Sequence, residues 1–282
     1  MKHERFYIGD YDTEFCQNSH IQSGNILVPF LKIVENKPAN LALWIDDIAL
    51  SYEELWAASV PVARSLTEIV QYRRIESVGI IADRSITSFV SIIASLAAGI
   101  PYVPIHHKYP VKRQIRILKQ AECSVLISGP TSTSVIEKLL PKITNSVSIL
   151  SICGDDIDKN IKVTCQHRLI PVKAATEKQP KINDNRAACL LFTSGSTGEP
   201  KGISIRHSNI VSYVKSIQKL YNPNESDRFS QIFDQTFDLS LHDMFVAWST
   251  GASLFSIPDK DCLLYTSPSP RDRTRSRMPS SA

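Results

Sequence analysis

Apolar residues recur along the chain in two rhythms. Short runs at residues 41–45, 48–50, 77–82, 102–105, 124–128, 146–152, 187–192, 229–232 and 252–257 read as strands, several of them apolar at every position. Longer segments with helical spacing, at 86–98, 111–121, 132–140 and 209–221, read as helices. The first two strands form a hairpin around Asp46 and Asp47, and a long amphipathic helix follows. Ser51 and Glu54 make a capping-box pair for that helix, and Pro61 is expected to kink or split it. This alternation predicts an α/β fold of parallel sheets flanked by helices. The polar stretch 154–185 is expected to link two subdomains, the first over 1–186 and the start of a second over 187–262.

Composition changes this picture mainly at the end of the chain. Residues 263–282 are rich in Ser, Pro and Arg, with four Arg against one Asp, so most of the formal charge of +4 resides there. An RNA- or membrane-attracting arm is one reading of such a segment. The expectation here is a disordered, non-native tail, because nothing in it repeats at a helical or strand period. With the tail set aside the charge is near neutral, and neither a nucleic-acid nor a membrane partner is expected. Residues 89–105 are apolar but interrupted by Gly99 and Pro101, which suits a helix and a strand better than a membrane span. The first ten residues lack the apolar core of a secretion signal, and the six cysteines show no C-x-x-C pair. Reduced thiols in the cytoplasm are the expectation.

The richest chemistry lies at 193–202, Thr-Ser-Gly-Ser-Thr-Gly-Glu-Pro-Lys-Gly. Its glycines allow backbone N–H groups to approach an anion, and Thr193, Ser194, Ser196 and Thr197 offer hydroxyl donors. Lys201 adds a positive charge on a flexible stem. The apolar run before it places this loop at the carboxyl end of a core strand, where α/β sheets bind ligands. A Walker A loop requires Gly-Lys followed by Ser or Thr, and here Pro200 precedes Lys201 and Gly202 follows it. A bare Gly/Ser linker is a poorer account, since apolar strands flank the loop tightly.

The segment LLFTSGSTGEPKG resembles the signature of the adenylate-forming superfamily of acyl-CoA synthetases, luciferases and amino-acid adenylation domains. The resemblance implies that ATP, with Mg2+, activates a carboxylic acid as an acyl-adenylate, which then passes to a carrier-protein phosphopantetheine thiol or to CoA. It assigns Thr193, Ser194, Gly195, Ser196, Thr197, Gly198 and Lys201 to the triphosphate, with Lys201 acting catalytically on the departing pyrophosphate. Residues 96–110 are similar to a second family segment, in which His106 and His107 replace the usual Asp-Pro. A metal site at this pair is not expected, because adjacent side chains point in different directions.

The run FDLSLHDMF, residues 237–245, resembles the substrate motif of amino-acid-activating members. It implies that Asp238 binds the substrate ammonium, with Phe237, Leu239 and His242 lining the pocket. Asp238 can equally be a helix N-cap, and His242 a surface histidine. A carboxylate:CoA ligase and a non-catalytic nucleotide-binding protein are the alternatives. The family pattern fades near Asp261, before the adenine, ribose and C-terminal lysine contacts, so the expectation is the N-terminal large domain, incomplete at its C-terminus and catalytically incomplete.

Overall fold

In the computed structural model the described residues are 24–72, 74–143, 147–152, 161–165, 168–169, 186–194 and 199–257. The expected tail at 263–282 lies outside them. The chain begins with α1 (Leu27–Asn36), whose buried Leu27, Phe30, Leu31 and Val34 recur at helical spacing. The hairpin β1 (Leu41–Ile45) and β2 (Ile48–Ser51) follows, turning at Asp46 with φ of 49°. Next come α2 (Tyr52–Tyr72), β3 (Ser77–Ala82), α3 (Ile86–Ala97), β4 (Tyr102–His106), α4 (Val111–Gln120) and β5 (Cys123–Ser128). After α5 (Thr133–Leu139) lie β6 (Ser148–Ile152), β7 (Ile161–Cys165), β8 (Arg168–Leu169), β9 (Ala187–Ser194) and β10 (Pro200–Arg206). The described part closes with α6 (His207–Tyr221), β11 (Arg228–Gln231), α7 (Leu239–Thr250) and β12 (Ser253–Ser256).

The capping box forms as expected: Ser51 N–H donates to Glu54 Oε2 at 2.8 Å, and Glu54 N–H donates to Ser51 Oγ at 3.1 Å. Pro61 does not split α2, which is continuous through it. Ala57, whose carbonyl loses its helical donor there, is a partly exposed residue.

Two sheets form. One has the order β10-β9-β4-β3-β5-β6-β7-β8, and the other β11-β12-β1-β2. The larger is parallel in the middle with antiparallel pairs at both edges, and the smaller is parallel through β11, β12 and β1 with an antiparallel hairpin at its β2 edge. β9 and β10 join the sheet of β3–β8, whereas β1 and β2 pair with the sheet of β11 and β12. The stretch read as a linker contains β7 and β8, which extend the larger sheet through β6. A main core containing Trp56, Phe89 and Trp248 fills the space between the sheets, and a second core under α4 and α5 covers the other face of the larger sheet.

Candidate functional site

The site begins with strand register. Ala82 at the end of β3 is level with His106 at the end of β4, and Thr193 on β9 is level with Lys201 on β10. Tyr102 on β4 pairs with Cys189 on β9, and alternation along each strand returns His106, four residues beyond Tyr102, and Thr193, four beyond Cys189, to the face of that pair. Residues level with one another across a sheet point to the same face. His106, Thr193 and Lys201 therefore share the face of Tyr102, Cys189, Leu191 and Ile205, which is the face packed into the main core together with α7. His106 and Thr193 lie toward the carboxyl ends of β4 and β9.

Thr193 and Lys201 are exposed, and the β9 backbone runs through Ser194, which pairs with Pro200. Pro200 begins an edge strand, a place where its missing N–H is tolerated. Gly195, Ser196, Thr197 and Gly198 lie outside the described residues. Glu199, the next residue, is tied to α4 by Arg116 at 3.0 Å. Gly202 does not serve the loop by adopting positive φ. It lies in the β10 ladder opposite Phe192, where an added Cβ would stand 2.9 Å from the ring.

His106 reaches across to the segment that precedes α7. Its Nε2 lies 2.7 Å from Asp234 Oδ2, and its Nδ1 accepts the Lys108 backbone N–H at 3.0 Å. Its ring stacks on His107 and Tyr109. The His107 ring Nδ1 lies 3.0 Å from the Ala82 carbonyl oxygen. Asp234 Oδ1 also accepts from Thr236 N–H at 2.8 Å and Thr236 Oγ at 2.7 Å. Burial opposes the charge on this carboxylate, but the bonds from His106 and Thr236 outweigh it and hold its pKa below the ordinary range. Among the described residues, no group of three His, Cys, Asp or Glu side chains is placed to hold a metal.

Asp238 immediately precedes α7, yet its side chain makes no capping bond. The helix start is held instead by Ser240, whose Oγ donates to the Phe237 carbonyl at 2.6 Å. Phe237 and Leu239 are 59% and 47% exposed, so neither is committed to the core. His242 is half-buried, with Nδ1 2.9 Å from Tyr213 Oη on α6. Burial lowers the His242 pKa, which favours the neutral ring. Burial also raises the pKa of Tyr213, and the charges of Asp238 and Asp243 raise it further, so Tyr213 keeps its proton. Asp243 itself is buried with Oδ2 unpartnered, and burial pushes its pKa up to about 6.

Comparison with known proteins bears directly on this arrangement. A family model described as AMP-binding enzyme matches residues 30–267. The chain belongs to the AMP-binding enzyme family. Bacitracin synthase 1 of Bacillus licheniformis is 30% identical over 227 residues, 80% of this chain and 4% of that protein. Gramicidin S synthase 1 of Brevibacillus brevis is 29% identical over 81% of this chain and 19% of its own length. Among solved structures, the Vibrio cholerae adenylation domain AlmE in complex with glycyl-adenosine-5'-phosphate is similar at a TM-score of 0.68 and 25% identity, over 93% of this chain and 48% of that one. IdnL7 gives a TM-score of 0.67 at 27% identity, over 85% of this chain and 46% of its own. The AMP-binding chain thus spans less than half the length of each of these proteins.

Within this AMP-binding fold, sequence reasoning missed the His106–Asp234 pair, Tyr213, and the Arg116 anchor of Glu199. Each is a tertiary contact between segments far apart in the chain. The departure from Asp-Pro at 106–107 was the one signal that pointed toward the first of them. Cys123 and Cys189 are buried, and burial pushes both thiols up to about 12, so neither is a nucleophile. No helix among the described residues is long and apolar enough to cross a membrane.

Proposed function

We propose that this chain supplies the triphosphate loop and acid pocket of an ATP-dependent ligase that activates an amino acid and passes it to a carrier-protein thiol. The observation that carries the reading is convergence. The row His106–Thr193–Lys201 ends where the phosphate loop leaves the sheet, and His106 bonds the turn that delivers an uncapped Asp238. In this reading a carboxylate oxygen of the amino acid attacks the α-phosphorus of ATP while the bond to the pyrophosphate oxygen breaks. The pyrophosphate leaves with that electron pair. Lys201 and the loop donors oppose the charge that develops on it.

Mg2+ accompanies the triphosphate, and the exposed Thr193 hydroxyl is a hard oxygen donor of the kind that ion prefers. A carrier thiol then attacks the carbonyl carbon, and AMP departs. A charge-assisted bond from Asp238 to the α-ammonium favours amino acids over acids that lack one. A cytoplasmic setting, which supplies ATP and keeps thiols reduced, goes with this reading.

The test is calorimetric titration of the 282-residue chain with MgATP, and then with amino acids and matched acids lacking the ammonium. Asp238→Ala is expected to weaken amino-acid binding at least about tenfold, consistent with the loss of a charge-assisted hydrogen bond, and to leave MgATP binding unchanged. Equal binding of the ammonium-free acids would sink the proposal in favour of a carboxylate:CoA ligase. Absence of MgATP binding would favour a non-catalytic role.

A further inference from the structure

The sequence departs at His106 from the segment that residues 96–110 resemble, and the structure gives that departure a partner. We propose that His106 is a positioning residue that holds the turn carrying Asp238 in register with the phosphate-loop strands. This rests on the reading of Asp238 as the ammonium-binding carboxylate.

The first step is the tautomer. The Lys108 N–H points at His106 Nδ1, 3.0 Å away, so Nδ1 is the acceptor and the neutral ring carries its proton on Nε2. That proton is donated to Asp234 Oδ2 at 2.7 Å. The ring is also fixed in space. It stacks between its neighbours, with centroids 4.7 Å from His107 and 5.2 Å from Tyr109, and the Arg113 guanidinium caps the Tyr109 ring at 4.1 Å. Gln114 Nε2 donates to the His106 carbonyl at 3.0 Å, so backbone and ring are both held from α4. A donor this constrained loses little conformational freedom on making its bond.

The second step is what Asp234 does with the bond. One carboxylate oxygen takes His106, while the other takes both donors of Thr236, and the Asp234 carbonyl accepts the Phe237 N–H at 2.9 Å. Asp234 therefore ties residues 234–237 into one closed turn. The residue after that turn is Asp238, whose carbonyl accepts Leu241 N–H at 2.9 Å in the first turn of α7. The path from the end of β4 to the candidate ammonium-binding carboxylate is thus a chain of short hydrogen bonds. Tyr109 adds a weaker strand to it, with Oη 3.5 Å from Thr236 Oγ.

The third step concerns charge. The pattern this segment resembles carries Asp at the position of His106, and an Asp there would set a second carboxylate against Asp234. Imidazole supplies the donor that Asp234 accepts and sets no second carboxylate beside it. A side chain of similar volume without a donor keeps the packing and loses the bond.

The experiment compares wild type with His106→Phe and His106→Gln in the full 282-residue chain, by amide hydrogen exchange without ligand and by calorimetric titration. In His106→Phe the Thr236 and Phe237 amides are expected to exchange at least about tenfold faster, and amino-acid affinity to fall about tenfold with MgATP affinity unchanged. His106→Gln, which restores an N–H donor, is expected to recover both within about threefold. Unchanged exchange at 236 and 237 in His106→Phe overturns the proposal. So does a parallel loss of MgATP and amino-acid binding, the mark of a general folding defect. A wild-type chain that binds MgATP but no amino acid overturns the Asp238 reading itself, and with it the positioning role. That failure is recognisable because wild type shows it before any variant is made.

Discussion

Asp243 offers the sharpest test of the physical chemistry around the candidate pocket, because it can be read without any ligand. It lies on the buried side of α7 at 8% exposure, and Oδ2 has no hydrogen-bond partner. Burial raises its pKa from the ordinary 3.8 to about 6. Its charge is felt by Tyr213 on α6, whose pKa it helps to raise. A folded-state pKa above the unfolded one means that stability is fully present below about 3.8 and is lost as the pH rises through about 6. Over that window the folded chain holds a proton that the unfolded chain has released. The slope is about 1.4 kcal/mol per pH unit, or roughly 3 kcal/mol in all.

Asp243→Asn keeps the shape and removes the ionisation. Urea unfolding of both chains at pH 4.0 to 7.5 is the assay, and the difference between them cancels the titration of every other group. The variant is expected to match wild type within about 1 kcal/mol at pH 4 and to exceed it by about 2–3 kcal/mol at pH 7.5. A difference that stays flat across this range would refute the reasoning, since it would mean that Asp243 ionises as freely in the folded chain as in the unfolded one.

Three further outcomes follow from the geometry. Gly202→Ala is expected to cost about 1–3 kcal/mol in urea unfolding, because its Cβ would meet the Phe192 ring at 2.9 Å, and a Phe192→Leu background should recover part of that loss. Ser51→Ala removes one half of the capping box at the start of α2 and is expected to lower stability by about 0.5–2 kcal/mol, measured the same way. Arg116→Ala breaks the pair with Glu199, but both side chains are half exposed, so the unfolding free energy is expected to change by less than about 1 kcal/mol; a larger loss would show that Arg116 supports the loop through more than charge.

Much of this architecture was legible because the local signals were strong. Residues 77–82 and 187–192 are apolar enough to be core strands, and the Ser51–Glu54 spacing marks a helix start that the structure forms. α1 was missed although Leu27, Phe30, Leu31 and Val34 carry its period, because Pro29 and the short length obscured the pattern. β7 was missed because Ile161, Val163 and Cys165 alternate with polar residues inside a charged stretch, and antiparallel strands need no continuous apolar run. The sheet partition was out of reach for a different reason. Pairing of β1 with β12 joins residues more than 200 positions apart, and no local pattern encodes that choice. The same holds near the candidate site: the contact of His106 with Asp234 joins residues more than 120 positions apart, and no local pattern encodes it.

The polar groups left unpartnered near α7 sharpen the contrast between core and site. Gln235 is 1% exposed with neither amide atom bonded, Gln231 is fully buried with a free Oε1, and Asp243 has a free Oδ2. Each such group costs about 1–3 kcal/mol when it goes unsatisfied. All three lie within the thirteen residues 231–243, the segment that also carries Asp234 and Asp238. The opposite end of α7 is unlike this: Trp248 donates to the Ala42 carbonyl at 3.1 Å, and its ring meets Phe30, Phe89 and Phe245 edge-on. One helix therefore joins an aromatic core at its C-terminal end to a segment with several unpartnered buried polar side chains at its N-terminal end. A core assembled for stability alone would have no use for the second arrangement. The aromatic end holds α7 in place, and in the proposed reading that rigidity fixes the turn that His106 bonds and, after it, Asp238.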